Sequence, residues 1–191
     1  AVLVGNFYAW PGSAAWPSIP TCRVDMVNCD ISASQMGIYL SGGVYVPGKA
    51  VTDVYLTGCD IYDNLERGVL VWDNNANGNA GCGIRVFMDD CRIFDNGDAD
   101  AALKITTTAG YTAMSPVVVS NSQIFGNTYA IGINGSKAKL GSDMGLRMSK
   151  CKVDGLVYCE VTSANAPYSA VNLSGIYWNS ANPDLVTKCE L

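Results

Sequence analysis

The chain has 191 residues, enough for one domain with a sizeable core, and no apolar run in it approaches the length of a membrane span. Its formal net charge is −5 and it has no Lys/Arg cluster, so neither nucleic acid nor a membrane is an expected partner. It contains no His, which removes the commonest general base, the commonest zinc ligand and the usual pH switch.

Gly and Asn are plentiful, and helical amphipathic periodicity is hard to find. That predicts an all-β chain with many turns. The opening stretch, residues 1–21, is rich in Pro and Trp and lacks the basic-then-apolar plan of a secretory signal. It is expected to cap or arm the domain formed by residues 22–191. The sequons at Asn134 and Asn172 are read as chance occurrences.

From residue 22 onward a phrase repeats. VYLTGCDIYDN (54–64) returns as VFMDDCRIFDN (86–96) and as VVVSNSQIFGN (117–127). With the Cys as position zero, the series is Cys29, Cys59, Cys91, Ser122, Cys151 and Ser174, about thirty residues apart until a shorter last step. A period of that length marks a solenoid.

Four columns stay apolar. Position −5 holds Val24, Val54, Val86, Val117 and Leu146; position −3 holds Met26, Leu56, Met88, Val119, Met148 and Val171. Position +2 holds Ile31, Ile61, Ile93, Ile124, Val153 and Ile176, and position zero is mostly Cys. Residues −5 and −3 share one face of a strand, and 0 and +2 share one face. The step from −3 to 0 is odd, so both pairs enter one core only if the chain bends between them. A third strand follows, at 37–40, 68–71, 102–105, 130–133 and 155–158. Two strands around a corner, a turn, a third strand and a variable loop make one coil of a three-sided β-solenoid.

Position +5 recurs as Asn64, Asn96, Asn127 and Asn179, with Ser34 in the first coil. Asn tolerates the left-handed backbone conformation, and its amide can bond backbone or the Asn one coil away.

Stacked Cys and Ile inside, an Asn ladder at one turn and a Gly-led third strand resemble the right-handed parallel β-helix of the pectate-lyase-like superfamily, an architecture shared by phage tailspikes and related virion proteins. The resemblance covers roughly residues 22–180. It implies an all-β, right-handed, single-stranded parallel β-helix of about six coils. Its motifs are packing motifs and are silent on activity.

Acids are the catalytic candidates. Asp63 and Asp95 occupy one column on adjacent coils, a spacing that suits a retaining glycosidase pair, with Glu66, Asp98 and Asp100 in adjoining turns. The same residues are ordinary turn formers. The stretch DNGDAD (95–100) lacks the spacing of a calcium loop, and no CxxC pair exists, so no metal or cofactor is expected. Cys22, Cys82, Cys159 and Cys189 lie outside the inward Cys column and are the disulfide candidates, within or between chains. Trp10, Trp16, Trp72 and Trp178 offer stacking surfaces for sugar rings or for an end of the solenoid.

The outer face carries two apolar stripes: Tyr62, Phe94, Phe125 and Tyr177 at +3, and Tyr55, Phe87 and Val118 at −4. A solvated face is rarely so apolar. Another copy of the chain around a three-fold axis is the expected cover, and residues 1–21 are the alternative lid. The favoured functional expectation is a structural or attachment protein of a tailed-phage virion, a homotrimer contacting other virion proteins at the particle surface after assembly in the host cytoplasm. The competing expectation is a β-helix that binds or degrades bacterial surface polysaccharide.

Overall fold

A computed structural model describes residues 2–6, 22–42, 52–73, 84–97, 100–107, 117–136, 146–162, 177–178 and 185–187. All the regular structure in them is strand, and all pairing between strands is parallel. Three sheets run along the molecule. Sheet I stacks Cys22–Val27, Thr52–Thr57, Ile84–Asp89, Val117–Ser120 and Leu146–Ser149. Sheet II stacks the short strands Asp30–Ile31, Asp60–Tyr62, Arg92–Phe94, Gln123–Phe125, Lys152–Val153 and Tyr177–Trp178. Sheet III stacks Val2–Asn6, Met36–Gly42, Arg67–Asp73, Leu103–Thr107, Tyr129–Ser136, Leu156–Thr162 and Leu185–Thr187. Five coils contribute a strand to every sheet, and extra strands continue sheets II and III at the ends. This is the parallel β-helix expected from the repeat.

Val2–Asn6 pairs with Met36–Gly42, so part of the opening segment is a strand at the first end of sheet III. Residues 7–21 lie outside the described residues.

The columns fall in register as the parity argument requires. Val54, Val86 and Val117 align, as do Leu56, Met88 and Val119, and Ile61, Ile93 and Ile124. All nine side chains are buried in a single cluster that also takes Ile38, Val69, Leu103 and Ile131 from sheet III. Because both core-facing pairs of each phrase are buried, the bend between −3 and 0 is real. Its cause is a left-handed residue at position −1: Asn28 (φ 51°), Gly58 (63°), Asp90 (54°), Asn121 (50°) and Lys150 (54°). Asn, Gly and Asp bear that conformation at least cost.

The second corner corrects the expectation about the Asn at +5. The left-handed residue there is its predecessor, at +4: Ala33 (54°), Asp63 (51°), Asp95 (50°) and Gly126 (69°). This residue turns the chain, and the Asn that follows is folded inward with its amide buried. Asn96 Nδ2 donates to Ile61 O (3.1 Å) and Phe94 O (3.0 Å), and its Oδ1 accepts from Asn64 Nδ2 (2.9 Å). Asn64 Oδ1 in turn accepts from Ser34 N (3.3 Å), and Asn127 Oδ1 accepts from Asn96 N (2.8 Å). The ladder therefore joins four coils and satisfies carbonyls that the corner would otherwise strand. Gly68 opens the third strand beside it because a Cβ there would lie 2.6 Å from Ile93 Cγ2.

The Cys column is also more than apolar filling. Cys59 Sγ donates to Met26 O (3.4 Å), Cys91 Sγ to Leu56 O (3.4 Å) and Cys151 Sγ to Val119 O (3.5 Å). Each reaches a carbonyl one coil back, just before the corner. Ser122 fills the same place, donating to Ser120 O (2.7 Å) and accepting from Cys91 N (3.0 Å). The position demands a small side chain with a donor, which Cys and Ser supply.

Candidate functional site

The aromatic stripes stand on the outer faces of sheets I and II, on either side of the first corner. Tyr62, Phe94 and Phe125 are held in register by the short strands of sheet II. Their rings stack at 5.0 Å between centroids, with interplanar angles of 7° and 1°. On sheet I, Tyr55 and Phe87 stack at 4.8 Å, and the Arg23 guanidinium lies 4.1 Å from the Tyr55 centroid. Stacking along the axis uses up the ring faces. What remains at the surface is a ridge of ring edges, and all five side chains are half-buried. A sugar ring needs a free aromatic face, so the interior of these stacks offers it little.

Tyr177 departs from the expected stripe. It pairs with Lys152, and Trp178 pairs with Val153, so Tyr177 falls in the column of Gln123 and Arg92 instead of the column of Phe125. The sixth coil starts two residues later than a phrase anchored on Ser174 implies.

The acidic turn follows the aromatic stripe directly, Asp63 coming after Tyr62 and Asp95 after Phe94 at the end of sheet II. Asp63 and Asp95 are exposed, each at the left-handed +4 position, and Asp63 N–H donates to Asp95 O (3.2 Å) across the coils. A Cβ on Gly126 would lie 2.0 Å from Asp95 Oδ1, so that carboxylate leans over the next coil, on the side away from Asp63. Glu66 accepts from Gln35 Nε2 (2.5 Å) and from Arg67 Nη1 (3.3 Å). Arg67 also donates to Asp100 through Nε (3.1 Å) and Nη2 (2.9 Å), and Lys104 Nζ lies 3.2 Å from Asp100 Oδ1. Two anions and two cations thus neutralise one another in a half-buried network. Asp98 lies outside the described residues. Among the described residues no cluster of three or more His, Cys, Asp or Glu is placed to hold a metal ion.

The outward charges pair from coil to coil. Arg92 pairs with Asp60 one coil back, with Nε donating to Oδ1 at 2.7 Å, and Arg85 pairs with Asp53 at 2.6 Å. Asp89 accepts from Ser120 Oγ (2.6 Å) and Asn121 Nδ2 (2.7 Å), which holds its carboxyl below the usual range. The signal was present in the column Asp30, Asp60, Arg92, where unlike charges sit one coil apart.

The inward thiols of Cys59, Cys91 and Cys151 are free, and burial pushes the Cys91 thiol up to about 11. Such a group is a poor nucleophile. Of the disulfide candidates, Cys22 stands in register with the buried Thr52, and Cys159 in register with the buried Ile133. Cys82 and Cys189, together with Trp10 and Trp16, lie outside the described residues.

Comparison with curated proteins and with solved structures finds no match. A family model does match. It is described as "Right handed beta helix region" and covers residues 18–155, which includes the opening of the first coil and the Asn ladder through to the fifth corner. With three parallel sheets, in-register columns and this match, the chain belongs to the right handed beta helix region family.

Proposed function

We propose that this chain is a structural or attachment module of a tailed-phage virion that assembles as a homotrimer through its aromatic corner. The observation that supports this reading is the pair of stacks, Tyr55 with Phe87 on sheet I and Tyr62, Phe94 and Phe125 on sheet II, in register yet still half-open on the outer surface. Packing such stacks against two neighbours would remove several hundred Å² of apolar surface, roughly several kcal/mol even after the cost of association. A three-sided solenoid suits a three-fold axis, and an extended, stiff rod suits a part that projects from a particle. Other virion proteins and bacterial surface polysaccharide are the partners this role implies.

The test is the mass of the purified chain in solution. Light scattering should give three copies, and Phe94→Glu should give one while keeping the β-rich circular dichroism of the parent. If Phe94→Glu fails to fold, Tyr55→Lys in the half-buried neighbouring stack makes the same test. A wild-type monomer at tens of micromolar would overturn the trimer. Cys189 and Cys82 are proposed to link copies once surroundings are oxidising. Non-reducing gels of Cys189→Ser should then lack a crosslinked species that the parent shows.

The polysaccharide-degrading reading keeps one specific observation: Asp63 and Asp95 are both exposed on consecutive coils. Under that reading Asp63→Asn and Asp95→Asn would each abolish glycan cleavage by the intact chain. Under the structural reading there is no cleavage to abolish.

A further inference from the structure

The corner after sheet II forces a chemically labile pair into the middle of the solenoid. At position 97 a Cβ would lie 1.8 Å from Leu65 O and 2.5 Å from its carbonyl carbon, so only Gly fits. At position 96 the side chain must both donate to Ile61 O and Phe94 O and accept from Asn64, so an amide is required. Packing thus dictates Asn followed by Gly, the dipeptide least hindered toward cyclisation because Gly has no side chain to block the approach.

We infer that Asn96–Gly97 is a conditional deamidation site, inert in the folded solenoid, reactive once its coil opens, and incompatible with refolding after conversion. The reaction is intramolecular. The Gly97 nitrogen attacks Asn96 Cγ, the N–Cγ bond forms and the Cγ–Nδ2 bond breaks. The Gly97 amide proton leaves with the former side-chain nitrogen as ammonia. Water then opens the succinimide at either carbonyl, giving aspartate or isoaspartate at position 96.

The folded structure opposes each part of this. Gly97 N–H donates to Asn64 O at 2.6 Å, which holds the nucleophile in a bond to another coil. The leaving amide is anchored by two carbonyls, and the Asn96 backbone N–H is held by Asn127 Oδ1 at 2.8 Å. Asn96 is only 5% exposed, so water has little access. Reaction therefore requires opening, and its rate is scaled down by the opening equilibrium. Conversion replaces a donor by a carboxylate that faces the Ile61 and Phe94 carbonyls, and isoaspartate adds a backbone atom to a corner whose register is fixed on both sides.

The experiment uses the full chain, held either folded in buffer or unfolded in urea at the same mildly alkaline pH. Peptide mapping by mass spectrometry then follows residue 96 over time. The same dipeptide at Asn77–Gly78 serves as the chemical reference in the unfolded sample. The expected result is conversion at Asn96 at least about tenfold slower in the folded sample, equivalent to an opening cost above about 1.4 kcal/mol. On refolding the aged sample, converted chains should be depleted from the soluble fraction. Equal rates in the two states would overturn the protection, and equal partition of converted chains would overturn the lock. Asn96→Asp, which supplies the product directly, should show a lower urea midpoint than the parent, and an unchanged midpoint would count against the lock.

Discussion

Replacing Asn96 by Ala isolates what the ladder contributes. The substitution removes four hydrogen bonds: two donated by Nδ2 to Ile61 O and Phe94 O, and two accepted by Oδ1 from Asn64 N (3.3 Å) and Asn64 Nδ2 (2.9 Å). The losses are unequal. Asn64 Nδ2 keeps Tyr62 O (3.0 Å) and Ile31 O (3.2 Å), whereas the backbone N–H of Asn64 is left without this acceptor at a site only 2% exposed. A stranded buried donor costs about 1–3 kcal/mol, and the net worth of each remaining bond is about 0.5–1.5 kcal/mol. A total near 3 kcal/mol follows, once Asn64's remaining partners are counted. With a urea dependence of about 2 kcal/mol per molar, the midpoint should fall by about 1.5 M. Urea denaturation followed by circular dichroism measures it, with Gln123→Ala, an exposed outward neighbour, as the control expected within about 0.5 kcal/mol of the parent. An Asn96→Ala midpoint within the scatter of that control, at unchanged slope, would show that the ladder does not hold the corner.

Ile93→Asp places a carboxylate in the buried column between Ile61 and Ile124 and should abolish soluble folding, as read by expression and solubility against Ile93→Val, expected to cost only about 0.5–1.5 kcal/mol. Ala33→Gly relieves a left-handed alanine (φ 54°) and should raise the thermal midpoint by up to a few degrees, corresponding to at most about 1 kcal/mol. Burial raises the Cys91 thiol from 9.0 to about 11, so the neutral thiol favours the folded state fully below pH 9, and that contribution is lost as pH rises toward 11. Urea midpoints should accordingly fall more steeply across that window in the parent than in Cys91→Ala.

The fold was legible because a solenoid writes its geometry as a period. Every inward column repeats once per coil, and the odd step from −3 to 0 exposes the first corner. The left-handed residues at −1 and +4 are mostly Asn, Asp and Gly, which favour that conformation, but Lys150 and Ala33 break the column and Asn and Asp are equally common in ordinary turns, so the neighbouring Asn at +5 drew the assignment instead. The misplacement of Tyr177 has a different origin. The earlier coils are anchored by the phrase itself, whereas the sixth has neither its Cys nor its closing pattern, so Ser174 was a false anchor and the register falls two residues later. The acid pair was drawn together correctly by register, but register fixes Cα positions and not side-chain direction. The lean of Asp95 over Gly126 depends on the next coil having no side chain there. The Glu66–Arg67–Asp100–Lys104 network joins adjoining coils, and spacing along one phrase gives no hint of it.

Two left-handed corners recur at the same positions in the four coils that turn at Asn28, Gly58, Asp90 and Asn121, and give those coils matching cross-sections. That has an evolutionary consequence. Duplication or loss of one whole repeat in the middle of the gene segment would insert or remove a coil whose upper and lower faces already match their new neighbours, lengthening or shortening the rod without disturbing the rest. A single-residue insertion within a strand would instead turn the remaining positions of that strand inside out. In this architecture large, period-sized changes are the mild ones, and length is the property that selection can adjust most freely.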